Sequence, residues 1–219
     1  MTAHYTLIMG TQDWSSWSLR PYLALRATGA TFEQVVIPLR RPDSKAKILQ
    51  HSHSGFIPAL KIVEGGRTHT VWDSLAICET IADLHPAAKL WPDDPYLRAE
   101  ARAYAAEMHS GFAAVRSNLS MDFARRHPTP TLDDETKVQV ARIVHAWMHA
   151  LTNHSDANGF LFGRFSIADC MYGPVVSRFR TYGIATPPEV STYMARMLAL
   201  PAMQDWEKAS QAEVDAGLA

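Results

Sequence analysis

"FIPALKIVEGGRTHTVWD", residues 56–73, carries two strand-like runs on either side of Gly65-Gly66. Adjacent glycines supply the positive φ angles that a tight turn demands, so the stretch reads as a strand, a turn and a second strand: a hairpin. The segments before it are joined differently. Residues 4–9, within "HYTLIMG", read as a buried strand, and residues 17–28 read as a helix closed by Gly29. Pro21 fits only the first turn of a helix, which places the helix start between Ser16 and Ser18. "TFEQVVIPL" (31–39) alternates like a strand, and "DSKAKILQHS" (43–52) reads as a short helix. Beyond the hairpin, "SLAICETIADLHP" (74–86) is a helix opened by Ser74 and closed before Pro86. The order βαβαββα puts parallel and antiparallel pairs into one small sheet, the pattern of a compact α/β domain.

Downstream the period changes. "PAAKLWPDDP" (86–95) is rich in proline and acid and reads as a connecting stretch. After it every periodic segment is helical: one long helix over 95–126, then 132–153, 166–182, 188–199 and 202–215. The expected organisation is an α/β domain over 1–86, a linker over 87–94 and an all-α domain over 95–219.

With 219 residues, 47% of them apolar and 20% charged, the chain has the composition of an ordinary globular protein. A net charge of −1 without a basic run argues against a nucleic-acid partner. No apolar window is long enough to span a membrane, and the first residues lack the pattern of a secretory signal. Cys78 and Cys170 are far apart and form no CxxC, so neither a disulfide framework nor a zinc site is expected, and the setting reads as cytoplasmic. Among ten histidines, His51 and His53 lie two apart, and His145 and His149 lie four apart on one helix. No neighbouring carboxylate or cysteine in the sequence completes a ligand set, so no metal is expected.

"QDWSSWSLRP" (12–21) places Ser15, Ser16 and Ser18 where the first strand hands over to the first helix. Capping alone accounts for serines at such a place. Taken with "GFIPAL" (55–60), "VWDSLAICETIADLHP" (71–86) and "FSIADCMYGPVVSRF" (165–179), however, the stretch resembles the cytosolic glutathione S-transferases along nearly the whole chain. The serine cluster is most similar to the serine-type members, the zeta class above all, although Trp17 stands where that class has cysteine. The resemblance implies a thioredoxin-like N-terminal domain followed by an all-helical C-terminal domain. It also implies glutathione as co-substrate, a small electrophile as second substrate, and a homodimer.

It further implies roles for particular residues. Ser15 is the candidate donor to the glutathione sulfur, with Ser16 the alternative. The Ile57–Pro58 bond is expected to be cis, with the Ile57 backbone pairing with the cysteinyl unit. Asp73 and Ser74, at a helix N-terminus, are expected to hold the γ-glutamyl group, Ser74 on its carboxylate and Asp73 near its ammonium. The plain alternatives are an ordinary strand-opening proline and an ordinary N-cap. Phe56 occupies the position where relatives often have a lysine for the glycyl carboxylate, leaving Lys45, Lys47 and His53 as candidates. Ser166 and Asp169 form a helix-capping pair without chemistry. His109, Arg116, Arg178 and Arg180 line the electrophile pocket or are simply solvated; the zeta-class position for a substrate-holding arginine is Thr181 here. Two further activities fit the resemblance: glutathione-dependent isomerisation of a small unsaturated diacid, and a non-catalytic binding role.

Overall fold

The first seven elements of the computed structural model, which describes residues 3–219, follow the βαβαββα order. They are β1 (His4–Gly10), α1 (Ser16–Thr28), β2 (Phe32–Ile37), α2 (Ser44–His51), β3 (Ala59–Glu64), β4 (Arg67–Trp72) and α3 (Ser74–Leu84). The strands form one sheet in the order β2-β1-β3-β4. β1 runs parallel to β2 and antiparallel to β3, and β3 pairs antiparallel with β4. The hairpin turn has Gly65 at φ 57° and Gly66 at φ 77°, as two-residue turns of this hand require.

Alternation along β1 builds two cores. Leu7 and Met9 face α1 and α3, while Ile8 faces the other way and packs with Ile37, Ile48 of α2 and Ala59. Helix α1 begins at Ser16, which puts Pro21 in its second turn rather than its first. The lost amide is tolerated because α1 is wedged between the sheet and the helical part, with Leu19, Leu23 and Leu25 fully buried.

The remaining helices are α4 (Pro95–Ser110), α5 (Ala113–Asn118), α6 (Asp134–Asn153), α7 (Ile167–Thr181), α8 (Pro188–Leu198) and α9 (Pro201–Asp215). The expected single helix over 95–126 is therefore wrong. The chain breaks after Ser110, where Gly111 is extended and Phe112 is left-handed at φ 58°. Phe112 is buried, and its place in the core holds the break open to the competing helical pattern. Residues 119–133 form no helix.

Helix α7 is the axis of the helical part: 14 of its 15 residues are buried. Ser166 and Asp169 form the expected capping box, and Asp169 also accepts from the Leu161 amide and the Tyr193 hydroxyl. A Cβ on Gly173 would stand 2.8 Å from Leu23 Cδ1, so glycine there lets α7 cross close to α1. The proline-rich stretch is pinned rather than loose. Leu90 and Trp91 are buried, the Trp91 indole donates to Glu79 (2.9 Å), and the Leu90 carbonyl accepts from the Ile167 amide (2.9 Å).

Candidate active site

Three segments meet beside the sheet: the N-terminus of α1, the turn before β3, and the N-terminus of α3. They enclose a pocket of about 360 Å³ lined by Trp17, Phe56, Ile57, Pro58, Trp72, Asp73 and Ser74. The Ile57–Pro58 bond is cis.

Asp73 is the N-cap of α3. Its Oδ1 accepts from the Leu75 amide (2.9 Å) and the Ala76 amide (3.1 Å), and Oδ2 lies 2.7 Å from His109 Nε2 on α4. The residue sits at φ 76°, a conformation that costs a non-glycine residue about 1–3 kcal/mol and persists only where its surroundings hold it. Burial pushes its carboxyl upward, but the Ala76 amide and His109 outweigh it and hold the group below its ordinary 3.8. With Asp73 doing the capping, Ser74 is released from it. Ser74 lines the pocket, and its hydroxyl is buried with no hydrogen-bond partner among the described residues. A buried hydroxyl without a partner is uncommon and points to a group that arrives from outside.

Ser15 takes the N-cap position of α1 but makes no capping bond. Its hydroxyl donates to Ser18 Oγ (2.7 Å), which in turn accepts from the Gly10 amide at the end of β1 (3.2 Å). Ser16 is also buried. Neither Ser15 nor Ser16 lines the pocket; Trp17 does. So the structure gathers Ile57, Pro58, Asp73 and Ser74 around one space, and sets the two serines at the adjacent helix end.

Trp17 is the centre of a group that the sequence does not announce. The Arg20 guanidinium lies 4.1 Å from its ring centroid and that of Arg116 lies 5.5 Å away, while the His109 ring meets it edge-on at 5.4 Å. Arg20 is fully buried. Its Nε donates to the Met171 carbonyl (3.3 Å) and its Nη1 has no partner among the described residues. Arg178 donates to the Arg116 and Leu119 carbonyls, and Arg116 to that of Gly111. Burial first, then repulsion from Arg178 and Arg116, pulls Arg20 down to about 9; burial and Arg116 pull Arg178 down to about 10. Arg178 is thus a core side chain, not a solvated one, and three cations share one region with backbone carbonyls as their hydrogen-bond acceptors. Arginine spacing along separate helices gives no hint of this clustering.

Of the three candidates for the glycyl end, Lys47 is paired with Asp43 (2.7 Å). Lys45 lies 5.1 Å from the Phe56 ring centroid, donating to the Gly55 carbonyl, and His53 meets Trp72 edge-on at 4.4 Å. Both therefore touch residues of the pocket wall.

A mixed four-stranded sheet with a cis-proline pocket, followed by a helical part built on a capped central helix, defines a thioredoxin-like unit joined to an all-α unit. Family models of the glutathione S-transferase N-terminal and C-terminal domains match residues 14–84 and 98–209. The chain belongs to the glutathione S-transferase family. A probable maleylacetoacetate isomerase of Caenorhabditis elegans is 32% identical over 102 residues, 47% of this chain and 45% of that protein. The chain thus aligns with less than half of that relative's length. Among solved structures, a glutathione transferase homolog from Burkholderia gl BGR1 with bound glutathione has a TM-score of 0.70 at 24% identity, covering 95% of this chain and 98% of the other. Glutathione transferase Omega 2S from Trametes versicolor, in complex with 2,4-dihydroxybenzophenone, has a TM-score of 0.72 at 21% identity, covering 99% of each chain. At these identities the likeness is one of fold. No helix among the described residues is long and apolar enough to cross a membrane.

Proposed function

We propose that the protein is a glutathione transferase that activates the thiol of glutathione for attack on a small electrophile. One observation carries the reading: Ser74, a residue of the pocket wall at the N-terminus of α3, has a buried hydroxyl without a partner among the described residues. A carboxylate suits that place, because the helix end and the hydroxyl both favour negative charge. The γ-glutamyl carboxylate of glutathione takes Ser74, and the charge of Asp73 attracts the neighbouring ammonium. The Ile57 backbone beside Pro58 pairs with the cysteinyl unit, and Lys45 receives the glycyl carboxylate in place of the lysine that Phe56 replaces.

The thiol then lies toward α1. A free thiol with a pKa of about 8.5 is only a few per cent thiolate at neutral pH. Ser15 turns its hydroxyl from Ser18 to the sulfur, and this charge-assisted bond is worth about 1.5–3 kcal/mol, which lowers the thiol pKa by about one to two pH units. Ser16 is the alternative donor. The positive end of α1 adds about 0.3–1 kcal/mol in the same direction. No protein base is needed: the thiol proton passes to solvent, and the thiolate adds to the electrophile.

Residues 1–86 serve as the glutathione domain and residues 95–219 supply the electrophile pocket, with 87–94 between them; residues 1 and 2 lie outside the described part. The protein works as a cytoplasmic homodimer. Exposed Trp72 (43%) and Phe56 (71%) at the pocket rim support a partner surface beside the site. Retention on immobilised glutathione and conjugation of a panel of electrophiles test the proposal. Folded protein that shows no retention and no turnover would overturn it.

A second reading is favoured by the arginines. Arg116 beside Trp17, with Arg20 and Arg178 behind, offers positive charge to an acidic second substrate. This supports glutathione-dependent isomerisation of a small unsaturated diacid: the thiolate adds to the double bond, the single bond so formed rotates, and the thiolate leaves. A maleyl substrate in the panel separates the two activities.

A further inference from the structure

Away from the pocket, α4 and α6 bring Glu100 to two histidines about fifty residues further along the sequence. Glu100 lies in the middle of α4, His149 in the last turns of α6, and His154 caps that helix. Glu100 Oε1 is 3.0 Å from His154 Nε2 and 3.5 Å from His149 Nε2, and the three ligand atoms all lie within 4.8 Å of one another. Donors on a tetrahedral zinc ion, at about 2.0–2.2 Å from the metal, are separated by roughly 3.3–3.5 Å. The measured spacings bracket that value, so small side-chain rotations admit an ion.

The surroundings favour the same use. His154 is stacked on Phe162, with ring centroids 5.4 Å apart and planes 13° apart, which fixes the imidazole plane. Glu100 pairs with both of these histidines through the one carboxylate oxygen. The Asn153 side-chain nitrogen donates to the His149 carbonyl (2.8 Å) and lies 3.3 Å from His149 Nδ1, which holds it against that ring. Two imidazoles and one carboxylate, with a fourth position open to water, are a ligand set suited to zinc. His145, the other histidine of the helical pair in the sequence, is not part of the cluster.

We propose that Glu100, His149 and His154 form a zinc-class metal site that clamps α4 to the C-terminal end of α6. Glu100 lies nine residues before His109 on the same helix, roughly 14 Å along the axis from the histidine that bonds Asp73.

The test is titration of the chelator-stripped full chain with zinc, without glutathione, by calorimetry and by competition with a chromophoric chelator. The expected result is one equivalent bound at micromolar Kd or tighter. Glu100→Gln and His154→Ala each weaken binding at least about tenfold, and His145→Ala leaves it unchanged. Zinc raises Tm in the native chain and in His145→Ala but not in Glu100→Gln, whose circular dichroism matches the native chain. Millimolar binding, or binding equally strong in Glu100→Gln and His154→Ala, would overturn the proposal. Because these readouts need no glutathione, their failure leaves the transferase reading standing, and the reverse holds.

Discussion

Replacing Ser74 by alanine separates binding from folding with opposite signs. In the free protein the Ser74 hydroxyl is buried without a partner, a state that costs a protein about 1–3 kcal/mol relative to a satisfied group. Asp73, not Ser74, satisfies the Leu75 and Ala76 amides, so no cap is lost with the hydroxyl. Ser74→Ala is therefore expected to leave unfolding free energy unchanged or raise it by up to about 2 kcal/mol. In the glutathione complex proposed above the same hydroxyl would donate to a carboxylate, an interaction worth about 1.5–3 kcal/mol. Its loss raises Kd about 10- to 150-fold. Urea unfolding and calorimetric glutathione titration on one preparation give both numbers. A variant that loses stability yet keeps its affinity would refute the reasoning, since the hydroxyl would then be structural.

His109→Ala removes a bond that holds the Asp73 carboxyl below 3.8. A carboxyl with a lowered folded pKa contributes stability above its unfolded value and loses it as pH falls through the folded one, so with this bond removed the acid-labile contribution shrinks and the variant, less stable at neutral pH, should lose stability less steeply on acidification. An acid transition superimposable on that of the native chain would reject the coupling. Asp169→Ala strips acceptors from the Ser166 amide and hydroxyl, the Leu161 amide and the Tyr193 hydroxyl, and is expected to cost about 3–5 kcal/mol in denaturant unfolding. A cost under about 1 kcal/mol would mean that these groups find other partners. Light scattering at micromolar concentration should give twice the chain mass, and a monomer would remove the dimer from the account.

The hairpin, the helix cap at Gly29 and the capping box at Ser166 were legible because each depends on neighbours in sequence. Gly65-Gly66 can close only a tight turn between those runs, and Ser166 meets Asp169 one helical turn on. The break at Gly111–Phe112 was not legible, since the helical period continues through it and only the burial of Phe112 decides the outcome. Ile57, Pro58, Asp73 and Ser74 were readable from local motifs and do share a pocket. His109 bonding Asp73, and Arg116 and Arg178 closing on Arg20, join residues from separate helices, which no spacing along the chain encodes. Ser18 shows the same limit in miniature: it is the residue that ties Ser15 to the end of β1.

Activation of the glutathione thiol is tested most directly by titrating the ultraviolet absorbance of the bound thiolate against pH in the native chain, in Ser15→Ala and in Ser16→Ala. The native complex should titrate well below free glutathione. Ser15→Ala should move the midpoint up by about one to two pH units, with little change in Ser16→Ala. The reverse pattern would transfer the role to Ser16. A native complex that titrates like free glutathione, with both variants unchanged, would contradict thiol activation at this site.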